Sequence, residues 1–214
     1  MSLVGTRFDL VLGRCILVAN GLTVITLDID GVLNSMGSFR SEQMARVDVG
    51  RWKIRWRPVV VERLKELLDR PEVDGAWLTT WLEQPWLLDE FEQALGLTGH
   101  VPHRADHPAA QTRSGRTIID QRFEGDVAFH PTSTRWWKRH AAEMLVRRLR
   151  PARFAWIDDD LGHSVSIDDP WRPRETPDRF LLRTDSFRGL LSEDVVRLER
   201  WLDASNEGTW STSQ

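Results

Sequence analysis

The chain has 214 residues, 41 % of them hydrophobic and 29 % charged, which is room for one sizeable α/β domain with a real core. Its net charge of −3 excludes a strongly basic nucleic-acid binder on bulk charge but leaves room for a local basic groove. Cys15 is the only cysteine, which excludes an intramolecular disulfide and a cysteine-rich zinc site and fits a reducing, cytoplasmic setting.

Residues 10–18 are apolar but broken by Gly13 and Arg14. The run is too short for a membrane span and lacks the apolar stretch and cleavage site of a signal peptide. Residues 8–20 therefore read as an edge strand or hairpin arm. The β-branched run Val24-Ile25-Thr26-Leu27 predicts a fully buried strand of a parallel sheet. It ends in Asp28 and Asp30, with Gly31 directly behind them. Two residues apart, the acids point to one side while the strand persists. Two such carboxylates repel each other unless a cation or a shared proton intervenes. The pattern reads as a Mg²⁺ site, an acid/base pair, both, or a pair of solvated turn acids, Asp-Gly being a common turn dipeptide.

Residues 34–50 carry no clear period and read as an irregular loop outside the strand tip. Residues 51–57 alternate, with Arg51, Lys53, Arg55 and Arg57 on one face and Trp52, Ile54 and Trp56 on the other. The commoner form of this pattern is an edge strand with a solvated charged face and tryptophans in the core. The alternative is a basic flap that attracts an anionic substrate. Pro58 suits a first helical turn. Val59, Val60, Leu64, Leu67 and Leu68 fall at helical spacing through about residue 70, where Pro71 stops the helix.

Residues 76–81 read as a short apolar strand ending in the hydroxyls of Thr79 and Thr80. A helix follows over 85–95, with Gly96 in the position of a C-terminal stop. Residues 97–130 read as an irregular insertion, with a short strand near 99–102 and small strands at 117–120 or 127–130. His100, His103 and His107 match no metal-ligand spacing and read as loop histidines. Ser133 or Thr134 caps a helix to Leu149, with Trp137, Ala141, Met144, Leu145 and Leu149 as its apolar positions. Residues 154–157 then form a buried strand that runs into Asp158, Asp159 and Asp160. Residues 161–178 read as loop, and a strand lies within 179–185. Ser192 caps a last helix whose first turn carries Glu193 and Asp194, as the macrodipole favours. The tail from Ala204 reads as frayed.

Alternation of strands and helices over one unbroken domain, 1–214, argues for a doubly wound, mostly parallel sheet with helices on both faces. In such a sheet the strands' C-terminal ends share one edge. Asp28/Asp30, Thr79/Thr80 and Asp158/Asp159 therefore fall on that edge. Lys138 lies on the helix that feeds the last of these strands; the other lysines are Lys53 and Lys65.

At this point the residues resemble the haloacid dehalogenase-like (HAD) superfamily of phosphohydrolases. Asp28-Ile29-Asp30-Gly31-Val32-Leu33 looks like its first motif. Thr79 matches the second, Lys138 the third, and Ile157-Asp158-Asp159 the acidic fourth. Trp77-Leu78-Thr79-Thr80-Trp81, Ala155-Trp156-Ile157-Asp158-Asp159-Asp160 and Gly189-Leu190-Leu191-Ser192 further resemble small bacterial members and domains of multi-domain RNA-repair proteins. The resemblance covers about residues 22–203 and leaves 97–130 unmatched.

It implies a three-layer α/β/α Rossmann-like core with no large cap, only a small flap within 34–57. It also implies a Mg²⁺-dependent phosphatase or phosphotransferase working through an aspartyl-phosphate. Asp28 would be the nucleophile and Asp30 the acid and then the base. Thr79 would bond the phosphoryl group, and Lys138 would neutralise it. Mg²⁺ would be held by Asp28, the backbone carbonyl of Asp30 and Asp158, with Asp159 joining or orienting its waters. Asp160 reads as a cap or loop acid. A weakly capped site suits a large phosphorylated substrate: a nucleotide, a nucleic-acid end or another phosphomonoester, with no membrane partner. A neighbouring copy in an oligomer is another source of a cap. The reading from a different class is a non-catalytic binding module that keeps the fold and the Mg²⁺ site.

Overall fold

The computed structural model describes residues 21–37, 44–106, 134–161 and 178–204. The arm expected at 8–20, the small strands at 117–120 and 127–130, and His107 lie outside these residues.

Five strands form one parallel sheet: β1 (Thr23–Leu27), β4 (Val73–Trp77), β5 (His103–Arg104), β6 (Arg153–Asp158) and β7 (Asp178–Arg183), in the order β5-β4-β1-β6-β7. Every residue of β1 and β6 is buried, as expected for central strands covered on both faces. The helices are α1 (Pro58–Leu68), α2 (Pro85–Leu95), α3 (Thr134–Leu149) and α4 (Ser192–Ala204). Connections from β1 to β4 to β5 run one way across the sheet, and the connection from β5 to β6 runs back. Right-handed crossovers then put α1 and α2 on one face and α3 on the other. Ion pairs from Arg63 of α1 and Arg70, just beyond its end, to Glu199 and Asp203 bring α4 alongside α1. The fold is thus an open Rossmann-like α/β/α sandwich. No helix among the described residues is long and apolar enough to cross a membrane.

α1 begins with Pro58 at its first turn and buries Val60, Val61, Leu64, Leu67 and Leu68, while Val59 points out. α2 ends on Gly96 with φ 67°, the left-handed stop its glycine favours. α3 buries Trp137, Ala141, Ala142, Leu145 and Val146.

Four expectations are corrected. The second sheet strand is β4, over Val73–Trp77, not 76–81. Asp-Gly is a common turn dipeptide, but Asp74 and Gly75 lie inside this strand. In the structure a Cβ on Gly75 would lie 2.9 Å from the His100 carbonyl oxygen, so glycine here serves close backbone approach. The third strand falls at His103–Arg104 rather than 99–102, paired to Ala76 and Trp77.

The 34–50 stretch is not all loop. Ala45–Val49 is a strand, β2, antiparallel to β3 (Trp52–Trp56), and the two form a separate hairpin rather than an edge of the main sheet. The hairpin is seated on α2, where the Gly50 amide donates to Glu90 at 3.1 Å. Its faces also differ from the alternation. Trp52 is 43 % exposed and lies outside the core. Arg57, beyond the strand, is buried and donates to the Arg188 carbonyl.

Candidate active site

Sheet register builds the site. Leu27 of β1 is level with Trp77 of β4 and Ile157 of β6. The residues that follow each strand therefore emerge side by side. The Asp28 amide donates to the Ile157 carbonyl at 3.1 Å, and the Leu78 amide donates to the Leu27 carbonyl at 2.9 Å. β1 and β6 flank the point where connections reverse direction, and it is there that open α/β sheets leave a crevice.

Lys138 enters this crevice from α3. Its Nζ lies 2.6 Å from Asp28 Oδ2 and 2.8 Å from Asp158 Oδ2, and all three side chains are buried. Asp28 Oδ1 accepts the Ile29 amide at 2.7 Å, and the carboxylate takes a further bond from Thr79. Asp158 accepts the Trp156 indole at 3.2 Å and the Asp160 amide at 2.9 Å. One ammonium thus serves two buried carboxylates. Burial, with Asp158 nearby, outweighs Lys138 and Thr79 and pushes the Asp28 carboxyl up from 3.8 to about 7. Burial likewise raises Asp158 against the pull of Lys138. Burial pulls Lys138 down, but Asp28 and Asp158 together outweigh it and hold the ammonium well above the ordinary lysine value.

Asp159 completes the cluster. Asp28, Asp158 and Asp159 each offer a carboxylate oxygen, all within 4.8 Å of one another. Gly31 makes room for this: its φ is 73°, and a Cβ there would sit 2.3 Å from Asp159 Oδ2. The Gly31 carbonyl accepts the Thr184 hydroxyl at 2.7 Å. Three carboxylates against one lysine leave net negative charge in a confined place. An all-oxygen set of this kind fits Mg²⁺.

Asp30 stands apart. Its side chain is outside the three-carboxylate group; Oδ1 accepts the Asn34 amide at 2.7 Å and Oδ2 the Trp81 indole at 2.9 Å. Of the two threonines, Thr79 is fully buried beside Asp28, whereas Thr80 opens a short 3₁₀ turn over Thr80–Glu83. His100 and His103 pair with separate aspartates, Asp69 at 2.6 Å and Asp74 at 2.9 Å, and belong to no metal cluster among the described residues. His103 lies on β5, not in a loop. Lys53 pairs with Asp48 and Lys65 with Glu62 on the surface. Asp160 contributes its amide to Asp158.

Sequence reasoning missed Trp156, Thr184, Asn34 and Trp81. Trp156 was findable, since it lies two positions before Asp158 on one strand and so shares its face. Trp81 and Thr184 come from segments distant in sequence from the groups they bond, and Asn34, only four positions after Asp30, is marked by no local pattern.

No curated protein matches the chain, and no solved structure does either. The family described as the HAD domain in Swiss Army Knife RNA repair proteins matches residues 24–195. That span takes in both strand tips, Lys138 and the sheet that aligns them, and the chain accordingly belongs to this family of HAD domains.

Proposed function

We propose that the protein is a Mg²⁺-dependent phosphatase or phosphotransferase that works through an aspartyl-phosphate on Asp28, with a phosphorylated nucleic-acid end or nucleotide as substrate. The observation that carries this is the buried Lys138 ammonium between Asp28 and Asp158, with Asp159 beside them. A structural core has no use for three clustered carboxylates on one cation, because burying them costs free energy. An enzyme that must receive a divalent cation and a phosphate dianion does.

Asp28, Asp158 and Asp159 would hold Mg²⁺, which supplies positive charge against the phosphate dianion and the attacking carboxylate. Asp28 attacks phosphorus in line as the bond to the leaving oxygen breaks, and Asp30 gives that oxygen a proton. Lys138 and the Thr79 hydroxyl neutralise and orient the phosphoryl oxygens as charge shifts in the transition state. Water then attacks the aspartyl-phosphate, giving its proton back to Asp30.

Two features support a nucleic-acid end. The matching family bears the name of RNA repair proteins. The hairpin, which touches Asn34 and Trp81 beside Asp30, is basic, with Arg46 and Arg55 directly opposed across its strands. Like charges in that position destabilise a hairpin unless an anion joins them. Arg51 stacks over the Trp52 ring at 5.2 Å, an arrangement suited to phosphates and a stacked base.

Hydrolysis of p-nitrophenyl phosphate with and without Mg²⁺, beside D28N, tests the chemistry. Equal background rates for wild type and D28N, there and on a broad phosphate panel, would sink the enzyme reading in favour of a binding module. Oligonucleotides phosphorylated at the 5′ or 3′ end, compared with mononucleotides, test the substrate. Absence of any preference for the oligonucleotide counts against the nucleic-acid end.

A further inference from the structure

Asp30 lies outside the carboxylate cluster that Lys138 serves, yet neither of its oxygens is left to solvent alone. The Trp81 indole N–H donates to Oδ2 at 2.9 Å and the Asn34 side-chain amide donates to Oδ1 at 2.7 Å. Each donor is itself fixed. Asn34 Oδ1 accepts the Arg55 amide of β3 at 3.0 Å, which leaves its NH₂ no choice but to face Asp30. The Trp81 ring is packed between Phe91 of α2, 5.5 Å away, and Trp52 of the hairpin, 6.2 Å away. A carboxyl group has about four acceptor directions. Two are taken by these N–H groups, which leaves the other two directions open.

We infer that Trp81 is a positioning residue for the reaction: with Asn34 it forms a two-point clamp that aims the Asp30 carboxyl at the leaving oxygen. The inference rests on the phosphatase reading above and adds to it a role for a residue outside the acid, threonine and lysine set. When Asp28 forms its bond to phosphorus, the P–O bond to the leaving group breaks and its electron pair stays on oxygen. The Asp30 proton moves to that oxygen along a direction the clamp sets. A rotating carboxyl would lose this alignment, and proton donation is sensitive to it. The hairpin backs both arms of the clamp, through Arg55 and Trp52, so the element that faces substrate also holds the acid in place.

The test uses leaving groups of different need for a proton. p-Nitrophenolate leaves as a stable anion, whereas phenolate and alkoxides do not. In W81F the aromatic packing stays and the indole donor goes. Since general acid catalysis contributes roughly 10²–10⁴-fold, kcat/KM for phenyl phosphate and glycerol phosphate falls at least about tenfold, while that for p-nitrophenyl phosphate stays within about threefold. D30N lowers kcat/KM for the phenyl and glycerol esters further, and because Asp30 is also the base for the attacking water it lowers kcat on all three substrates. A merely structural role of Trp81 lowers kcat/KM in W81F for all three substrates together, and that result, or no loss on any, overturns the inference.

If W81F folds poorly, 3-benzothienylalanine at position 81 keeps the ring shape and replaces its N–H by sulfur. Independently of turnover, the Trp81 indole ¹⁵N–H resonance, assigned by its loss in W81F, must shift upfield and exchange faster in D30A. An unmoved resonance refutes the clamp itself. A wild type without Mg²⁺-dependent turnover whose indole resonance does shift in D30A refutes the phosphatase reading, and with it the catalytic role, while leaving the clamp standing.

Discussion

Replacing Asp28 by Asn is expected to stabilise the metal-free protein at pH 8 while abolishing its activity. The reason is the uncompensated charge at the sheet tip. The unfolded chain takes up the Asp28 proton near 3.8 and the folded chain near 7. Between these values the folded state holds the extra proton, so the stability this group provides is complete below about pH 4 and is lost as pH rises to about 7. At roughly 1.4 kcal/mol per pH unit, that loss is about 4 kcal/mol.

D28N removes it and leaves Lys138 paired with Asp158 alone, at 2.8 Å. The asparagine cannot accept from both the Ile29 amide and Lys138, as Asp28 does, and one mismatched donor gives back about 1–3 kcal/mol. The net gain at pH 8 is about 2 kcal/mol, or roughly 4–8 °C in Tm for a chain of this size. Thermal melts of wild type and D28N in a chelator at pH 5, 6, 7 and 8 read it out. The two curves converge or cross towards pH 5 and separate above pH 7. Parallel curves across that range, or D28N melting below wild type at pH 8, would refute the charge argument.

K138M leaves two buried carboxylates without their ammonium. It costs about 3–5 kcal/mol at pH 8 in urea melts and abolishes turnover, and a loss under about 1 kcal/mol would contradict the geometry at Asp28 and Asp158. In G31A the new Cβ meets Asp159 Oδ2, 2.3 Å away, at a φ of 73°. The rise in Tm on adding Mg²⁺ should shrink, and calorimetric Mg²⁺ affinity equal to wild type would count against Asp159 as a ligand. R46A removes a guanidinium from the exposed face of β2. It should lower kcat/KM on phosphorylated oligonucleotides and flatten its log–log salt slope by about 0.7 per lost phosphate contact. Turnover of p-nitrophenyl phosphate is unchanged, and an oligonucleotide rate equal to wild type speaks against the hairpin as a nucleic-acid surface.

Much of the fold is legible along the chain because burial leaves a local signature. Val24-Ile25-Thr26-Leu27 and Phe154-Ala155-Trp156-Ile157 are apolar on both faces, and both prove to be central strands. The helices announce themselves by period and by Pro58, Pro85 and Gly96. What stays illegible is where local chemistry points the wrong way. Asp-Gly is a common turn dipeptide, but Asp74-Gly75 lies inside β4, which needs the glycine so that the backbone near His100 can approach. β2 carries the alternation of a half-exposed strand, Arg46 and Asp48 opposite Ala45, Val47 and Val49, but five residues are too few to stand out from the irregular run around them, and pairing with β3 makes it a strand.

The site divides in the same way. The residue types and their order already carry the likeness to the family: acids after one buried strand, a threonine after the next, a lysine on a helix, and acids after another strand. Each stands at an element's end, and chain order alone assigns it there. Which of them meet is decided by sheet order. Lys138 is 110 positions from Asp28, and only the adjacency of β1 and β6 at the reversal point brings one ammonium to both strands' acids. Neighbouring residues at a strand tip point to opposite sides, so the sequence cannot say which of Asp158 and Asp159 faces the lysine. In the fold Asp158 takes Lys138 while Asp159 lies over Gly31. Nor can it say that Asp30 turns from Asp28 towards Trp81 and Asn34. That choice depends on hydrogen-bond donors that only the packed hairpin and the 3₁₀ turn place within reach.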